Sequence, residues 1–373
     1  MQKITYGTHV GPWNMTAYPE YIRAVCFVKL AAVHAAEASG QIDSATATEW
    51  KKGYQEIIGK LAELDSLKEL DIYLGFGSRL FKVIDSLTIK FGNVKDLRHL
   101  VPLSEHALSC TALHAVVCET LPSLLKEVKR FRDALSKKAI QFADVKKKGR
   151  KYLRDAAETT LGAEFATFAE GFDTQVKQLE EESKKWGKSW LGSYMPGVDT
   201  FGFANNDYKV LAAASLSKMI GGNFVVSTTV PDLLNSLTDL LALHAKLQEV
   251  SIQLWRVAHD VRILCSGPRT GIAEITVPAV APGSSIMPGK LNPVMAEMIY
   301  TSVDQIDANH AGFAVALKCG WLESTANSSI PVRNYLDSCR ILTNSLKLFN
   351  DKCIAGIETN ADKHSLQRVV ERS

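Results

Sequence analysis

Residues 231–264 read PDLLNSLTDLLALHAKLQEVSIQLWRVAHDVRIL. Their apolar positions, Leu233, Leu237, Leu240, Leu241, Leu243, Leu247, Val250, Leu254, Val257 and Val261, recur in steps of three and four. That spacing keeps them on one side of an α-helix. Pro231 and Asp232, just after Thr228 and Thr229, supply a start signal. The pattern predicts one helix over 232–264. A helix of more than thirty residues is far longer than the globular average, so it needs long partners to cover its apolar stripe.

The same period recurs at 107–143, 160–185, 293–317 and 332–353. With 232–264 these make five long helices, and the fold class expected is all-α: a long five-helix central bundle with a small helical N-terminal domain. The domain boundaries expected are 1–100 for a more irregular helical region, 101–355 for the bundle and 356–373 for the remnant of a further domain. Two long segments rich in helix breakers, 187–207 and 265–290, interrupt the bundle, and loops of that length are usually functional.

Composition narrows the class. Hydrophobic residues make up 46% of the 373 residues and charged ones 22%, with 43 basic against 40 acidic and a net charge of +3. This is an ordinary soluble balance, with no general case for nucleic acid or membranes. No uninterrupted apolar stretch is expected to span a bilayer, and MQKITYGTHVGPWNM (1–15) has no apolar leader core. Seven cysteines without CxxC pairing fit a reduced, cytoplasmic protein. The basic run 126–151 reads as the solvated face of a helix. His99, His106 and His114 lack carboxylates or cysteines at metal-binding spacing, so no metal and no cofactor is expected. Asn327-Ser328-Ser329 matches a glycosylation acceptor, which has no meaning in the cytoplasm.

The chemistry-bearing segment is PGSSIMPGKLNP (282–293), polar and glycine-rich between two apolar helices. It resembles the signature of the fumarase/aspartase superfamily, G-S-S-x-M-P-x-K-x-N-P, and Gly283, Ser284, Ser285, Met287, Pro288, Lys290, Asn292 and Pro293 fill its fixed positions. LWRVAHDVRILCSGPR (254–269) looks like family sequence, as does RILTNSLKLFNDKCIAGIETNADK (340–363), the latter more like aspartate ammonia-lyase than fumarase. The resemblance runs roughly from residue 20 to the end, and most strongly after 250. It implies a twenty-helix tetramer core and active sites drawn from three chains. It also implies β-elimination from a small anionic carboxylic acid. Ser284 is then the base, and Ser285, Met287, Lys290 and Asn292 face the substrate. The chain ends at QRVVERS (367–373), where the family continues into a small C-terminal domain.

A second segment, KKGRKYLRDAAETTLGAEFATF (147–168), is similar to the family's G-R-T-H-x-Q-D-A followed by T-L-G-x-E-F. The family's threonine, histidine and glutamine are replaced by Lys151, Tyr152 and Arg154. The resemblance implies that the residue at 152 meets the glutamate of N-P-x-x-x-E, here Glu297. A phenol ionises only well above neutral pH, so Tyr152 is a donor rather than a proton shuttle. Two new cations beside Lys290 suggest a ligand with more negative charge than a simple dicarboxylate, or side chains turned to solvent. At the third family segment, Ser104 and His106 fall in register within HLVPLSEHALSCTALH (99–114). The remaining loops are rewritten, leaving Ser78 and Arg79 in GFGSRLF (75–81). Three functions stay open: an aspartase-type carbon–nitrogen lyase, a fumarase-type hydratase, and a non-catalytic relative that binds a ligand or acts as a scaffold.

Overall fold

The structure, a computed structural model, describes residues 17–63, 78–94, 105–192, 206–228, 233–281, 283, 286–287, 289–318, 320–321, 324–325 and 329–360. Among them the helices are α1 (Pro19–Ala38), α2 (Ser44–Lys60), α3 (Ser78–Gly92), α4 (Glu105–Gln141), α5 (Leu161–Ser183), α6 (Asn206–Ile220), α7 (Leu233–Leu264), α8 (Val294–Ala316) and α9 (Ser329–Lys352). The expected all-α class holds. The five long helices lie within about three residues of their sequence-derived bounds, the scatter usual for helix ends.

The described residues fall into two compact units. The first draws on Met1–Pro122, Glu182–Leu243 and Ala311–Asp337; the second on Ser123–Glu181, His244–His310 and Ser338–Ser373. In the first unit α1 begins with Pro19, whose missing N–H costs nothing at a helix start. It is buried nearly all round by small and branched residues, the pattern of an interior helix, and it packs on α2 and α6. Asp43 caps α2 by accepting the Thr46 N–H at 2.8 Å. Asp85 of α3 pairs with Lys29 of α1 at 2.7 Å and accepts the Tyr54 hydroxyl of α2 at 2.9 Å.

On α7 the buried positions Leu240, Leu243, Leu247, Val250, Leu254, Val257, Val261 and Leu264 alternate steps of three and four. That is the 3.5-residue period of a coiled-coil seam. In the second unit the aromatic core joins three helices: Phe131 of α4 lies 4.9 Å from Phe172 of α5 and 5.9 Å from Phe349 of α9.

Three expectations change. α4 carries a window long and apolar enough to cross a membrane by length and composition, although most of that window is buried within the chain. The basic run 126–151 is not one solvated helix face. It leaves the helix after Gln141, and some of its cations are engaged, such as Arg132 with Asp173 at 2.5 Å and Lys138 with the Ile357 carbonyl at 2.8 Å, while Lys126, Lys137, Lys146 and Lys148 are exposed.

The third change is at 146–160, where the all-helical pattern gives way to a small antiparallel sheet. Strands β1 (Lys146–Lys151) and β2 (Arg154–Thr160) pair as an antiparallel hairpin with Lys151 opposite Arg154. Tyr152 and Leu153 form its two-residue turn, both at positive φ (55° and 57°). Such turns normally carry Asn-Gly or Asp-Gly, so Tyr-Leu gives no signal for one. β2 runs straight into α5, where the Thr160 hydroxyl caps the helix by accepting the Ala163 N–H at 3.1 Å.

Candidate active site

The signature loop ends in an ordered turn. The Lys290 N–H donates to the Met287 carbonyl at 3.2 Å, and Gly289 sits at φ 82° in the third position. Pro-Gly at the two central positions is the sequence signal for this type II geometry. Gly283 is required for another reason: a Cβ there would collide with the Lys290 carbonyl. The turn leaves Met287, Lys290 and Asn292 exposed just before α8. Glu297 lies in the first turn of that helix, where its charge suits the dipole, and pairs with Arg262 at 3.7 Å. Ser284 and Ser285 lie outside the described residues.

Lys151, Tyr152 and Arg154 gather instead at the hairpin tip, all exposed, with Tyr152 91% exposed. Within the chain Tyr152 and Glu297 do not pair, because Glu297 is engaged by Arg262. His106 lies on α4 within the range of the first unit, with its side chain outside the described set, and Ser104 is outside it altogether. Met287, Lys290, Asn292 and Glu297 thus lie around the start of α8, and Lys151, Tyr152 and Arg154 at the hairpin tip. Among the described residues no hydrogen bond or ion pair links the two groups.

The hairpin is anchored by a buried ion cluster that sequence reasoning missed. Lys147 of β1 lies 2.6 Å from Glu164 of α5 and 2.6 Å from Glu274, and Arg150 donates to Glu274 at 2.6 Å. Burial alone would raise the Glu274 carboxyl pKa. The bonds from Arg150 and Lys147 outweigh it and hold that pKa below its ordinary range. Arg150 is thus engaged in anchoring the hairpin. Alternation in KKKGRK buries Lys147 on the inward face, but nothing in the sequence marks its partners.

Between the hairpin tip, α5 and α7 lies an open cleft of about 570 Å³, lined among others by Tyr152, Leu153, Phe168, Trp255 and His259. Trp255 and His259, one helical turn apart, stack at 4.8 Å and 10°. His259 Nδ1 meets the Tyr300 hydroxyl at 3.1 Å, and Arg262 lies 5.6 Å above the Tyr300 ring. The i, i+4 spacing of Trp255 and His259 was the available signal for this group.

In the first unit His114 is packed 4.6 Å from Trp186 and 5.1 Å from Trp190. Its Nδ1 accepts the Gly187 N–H at 3.2 Å. Burial, assisted by the Lys188 charge, lowers its pKa to about 3, so the ring is neutral and serves packing. Among the described residues no group of three His, Cys, Asp or Glu is placed to hold a metal ion.

The long helices and the Met287–Lys290 turn before α8 define the class by its architecture, a helical bundle. A family model described as Lyase matches residues 29–306, and the chain belongs to that family, within the fumarase/aspartase superfamily. Class II fumarate hydratase of Halalkalibacterium halodurans is 34% identical over 251 residues, covering 67% of this chain and 54% of the relative. Aspartate ammonia-lyase of Bacillus subtilis is 32% identical over 263 residues, covering 70% and 54%. The chain thus spans about half the length of these curated relatives. Among solved structures, the fumarate lyase:delta crystallin of Brucella melitensis in native form is 26% identical with a TM-score of 0.80. That match covers 97% of this chain and 84% of the other.

Proposed function

We propose that the chain is the subunit of an aspartase-type carbon–nitrogen lyase acting on an aspartate- or succinate-like carboxylic acid. The observation that carries this reading is the pairing of exposed Lys290 and Asn292 on an ordered turn at the N-terminus of α8. A cation and an amide donor beside a positive helix end suit a carboxylate. Ser284, deprotonated when the loop closes over substrate, takes the proton from the carbon next to a carboxylate. The electron pair moves into that carboxylate, giving an aci-carboxylate dianion that Lys290 and Asn292 stabilise. The pair then returns to form the carbon–carbon double bond, and the carbon–nitrogen bond breaks. The departing amine keeps its electrons and gains a proton. Lys151, Tyr152 and Arg154 define the far end of the substrate, with Ser285, Met287, Glu297, Ser104 and His106 around it.

The subunits assemble as a homotetramer that lets the separate clusters converge from different chains. Exposed Ile252, Val315 and Leu348 on α7, α8 and α9 support that assembly. A cytoplasmic location accords with the buried thiols of Cys26 and Cys353, which form no disulfide among the described residues. Fumarase-type hydration is the second reading, favoured by the curated relative named for fumarate. Screening substituted aspartates and succinates for ultraviolet absorbance of a conjugated acid tests both. Amine release identifies the first reading, water exchange the second. A panel that yields neither product from the purified tetramer refutes both. Light scattering that finds a stable monomer at micromolar concentration refutes the assembly.

A further inference from the structure

The cleft beside the hairpin has features that acid elimination does not use. Its α7 wall is the Trp255–His259 stack, backed by Tyr300, whose ring lies 5.5 Å from that of Trp255. Phe168 of α5 and Tyr152 of the hairpin complete an aromatic lining. The charged groups in the lining are already matched. Arg150 pairs with Glu274, Arg256 donates to Asp260 at 2.7 Å, and Glu164 is held by Lys147. An occupant therefore meets no net demand for charge, in contrast to the exposed, cationic turn at Lys290.

On the α7 wall a ring nitrogen remains available. With His259 Nδ1 held by the Tyr300 hydroxyl, Nε2 has no hydrogen-bond partner among the described residues. Whichever nitrogen carries the proton, Nε2 offers a single donor or a single acceptor. An aromatic wall carrying a directing ring nitrogen, in a cavity of about 570 Å³, has the makings of a small-molecule site.

From this geometry we propose that the cleft binds a planar aromatic ring bearing one uncharged hydrogen-bonding group, stacked on Trp255 and directed by His259. The site goes beyond the lyase reading and does not depend on it.

The test is calorimetric titration of the full chain with three probes of matched size, and with naphthalene as a ring without a polar group. The matched three are 2-naphthol (planar, hydroxyl), 2-naphthoate (planar, charged) and decahydro-2-naphthol (hydroxyl, not planar). The expected result is saturable binding of 2-naphthol at one site per chain, with the other two probes at least about tenfold weaker. Trp255→Ala is expected to weaken 2-naphthol by about tenfold through loss of the stack. His259→Phe keeps a ring but removes the nitrogen, and is expected to cost about fivefold for 2-naphthol and nothing for naphthalene. The second variant keeps the proposal testable if the first is unstable. The site is overturned if 2-naphthol does not saturate the parent protein, if 2-naphthoate or the saturated alcohol binds as well, or if both variants bind 2-naphthol as the parent does.

Discussion

The signature turn at 287–290 and the hairpin tip at 151–154 are both exposed and both carry cations, yet they differ in how sequence and backbone agree. At the first, Gly289 occupies the one position that demands positive φ, so residue type and geometry coincide. At the second, Tyr152 and Leu153 occupy two such positions without the freedom of glycine, and leave their side chains 91% and 67% exposed. A bulky residue at positive φ costs on the order of 1–3 kcal/mol. The strained turn persists because the Lys147–Glu274–Arg150 cluster and the Thr160 cap fix the strands from below. A locally favourable turn can be read from sequence; a locally unfavourable one exists only because other segments hold it.

The contrast can be broken most sharply at the signature loop. Ser284→Ala is expected to fold and assemble as the parent but to lose roughly 1,000-fold or more in turnover, since it removes the proposed base. Steady-state kinetics beside circular dichroism checks this, and activity within a few-fold of the parent moves the base elsewhere.

The next largest effect lies under the hairpin. Glu274→Gln leaves Lys147 and Arg150 facing a neutral amide and is expected to destabilise by about 3 kcal/mol in urea unfolding. It also changes the acid limb. The Glu274 pKa is held below its ordinary value of 4.5 in the folded chain. The unfolded chain therefore binds the proton first, and this stability, full above about pH 4.5, is lost as pH falls through the folded pKa. The variant should show a flatter stability profile in that window. An unchanged slope would mean that other carboxylates control acid unfolding.

A smaller effect of opposite sign is expected at the tip. Tyr152→Asn with Leu153→Gly supplies the residues this turn prefers and should stabilise by about 1–2 kcal/mol. If the tip serves the proposed substrate site, turnover falls while stability rises. A rise in stability with full activity makes Tyr152 dispensable.

The smallest change is in salt response. Lys151→Thr with Arg154→Gln should leave stability within about 0.5 kcal/mol, because exposed charges contribute little. It should also reduce the weakening of substrate-analogue binding at high salt. Identical salt dependence in parent and variant would make both cations plain surface residues.

The helices were legible because each carries its own evidence. The three-and-four spacing on α7 predicts its buried face without knowledge of any partner, and Leu240, Leu247, Leu254 and Val261 are indeed fully buried. The break in the helical pattern before α8 was legible for a similar reason, since proline and glycine act on their own backbone. The basic run 126–151 was misread because its cations look solvated until Asp173, Glu164 and Glu274 are known to face them.

Local periodicity thus settled the all-α class and the five long helices. Those features depend on residues within one or two turns of each other. Only the tertiary structure could decide the strained hairpin, the ion cluster beneath it and the aromatic cleft of Trp255, His259 and Phe168. Each joins side chains distant in sequence, such as Arg150 and Glu274, whose pairing outweighs the local cost of the turn.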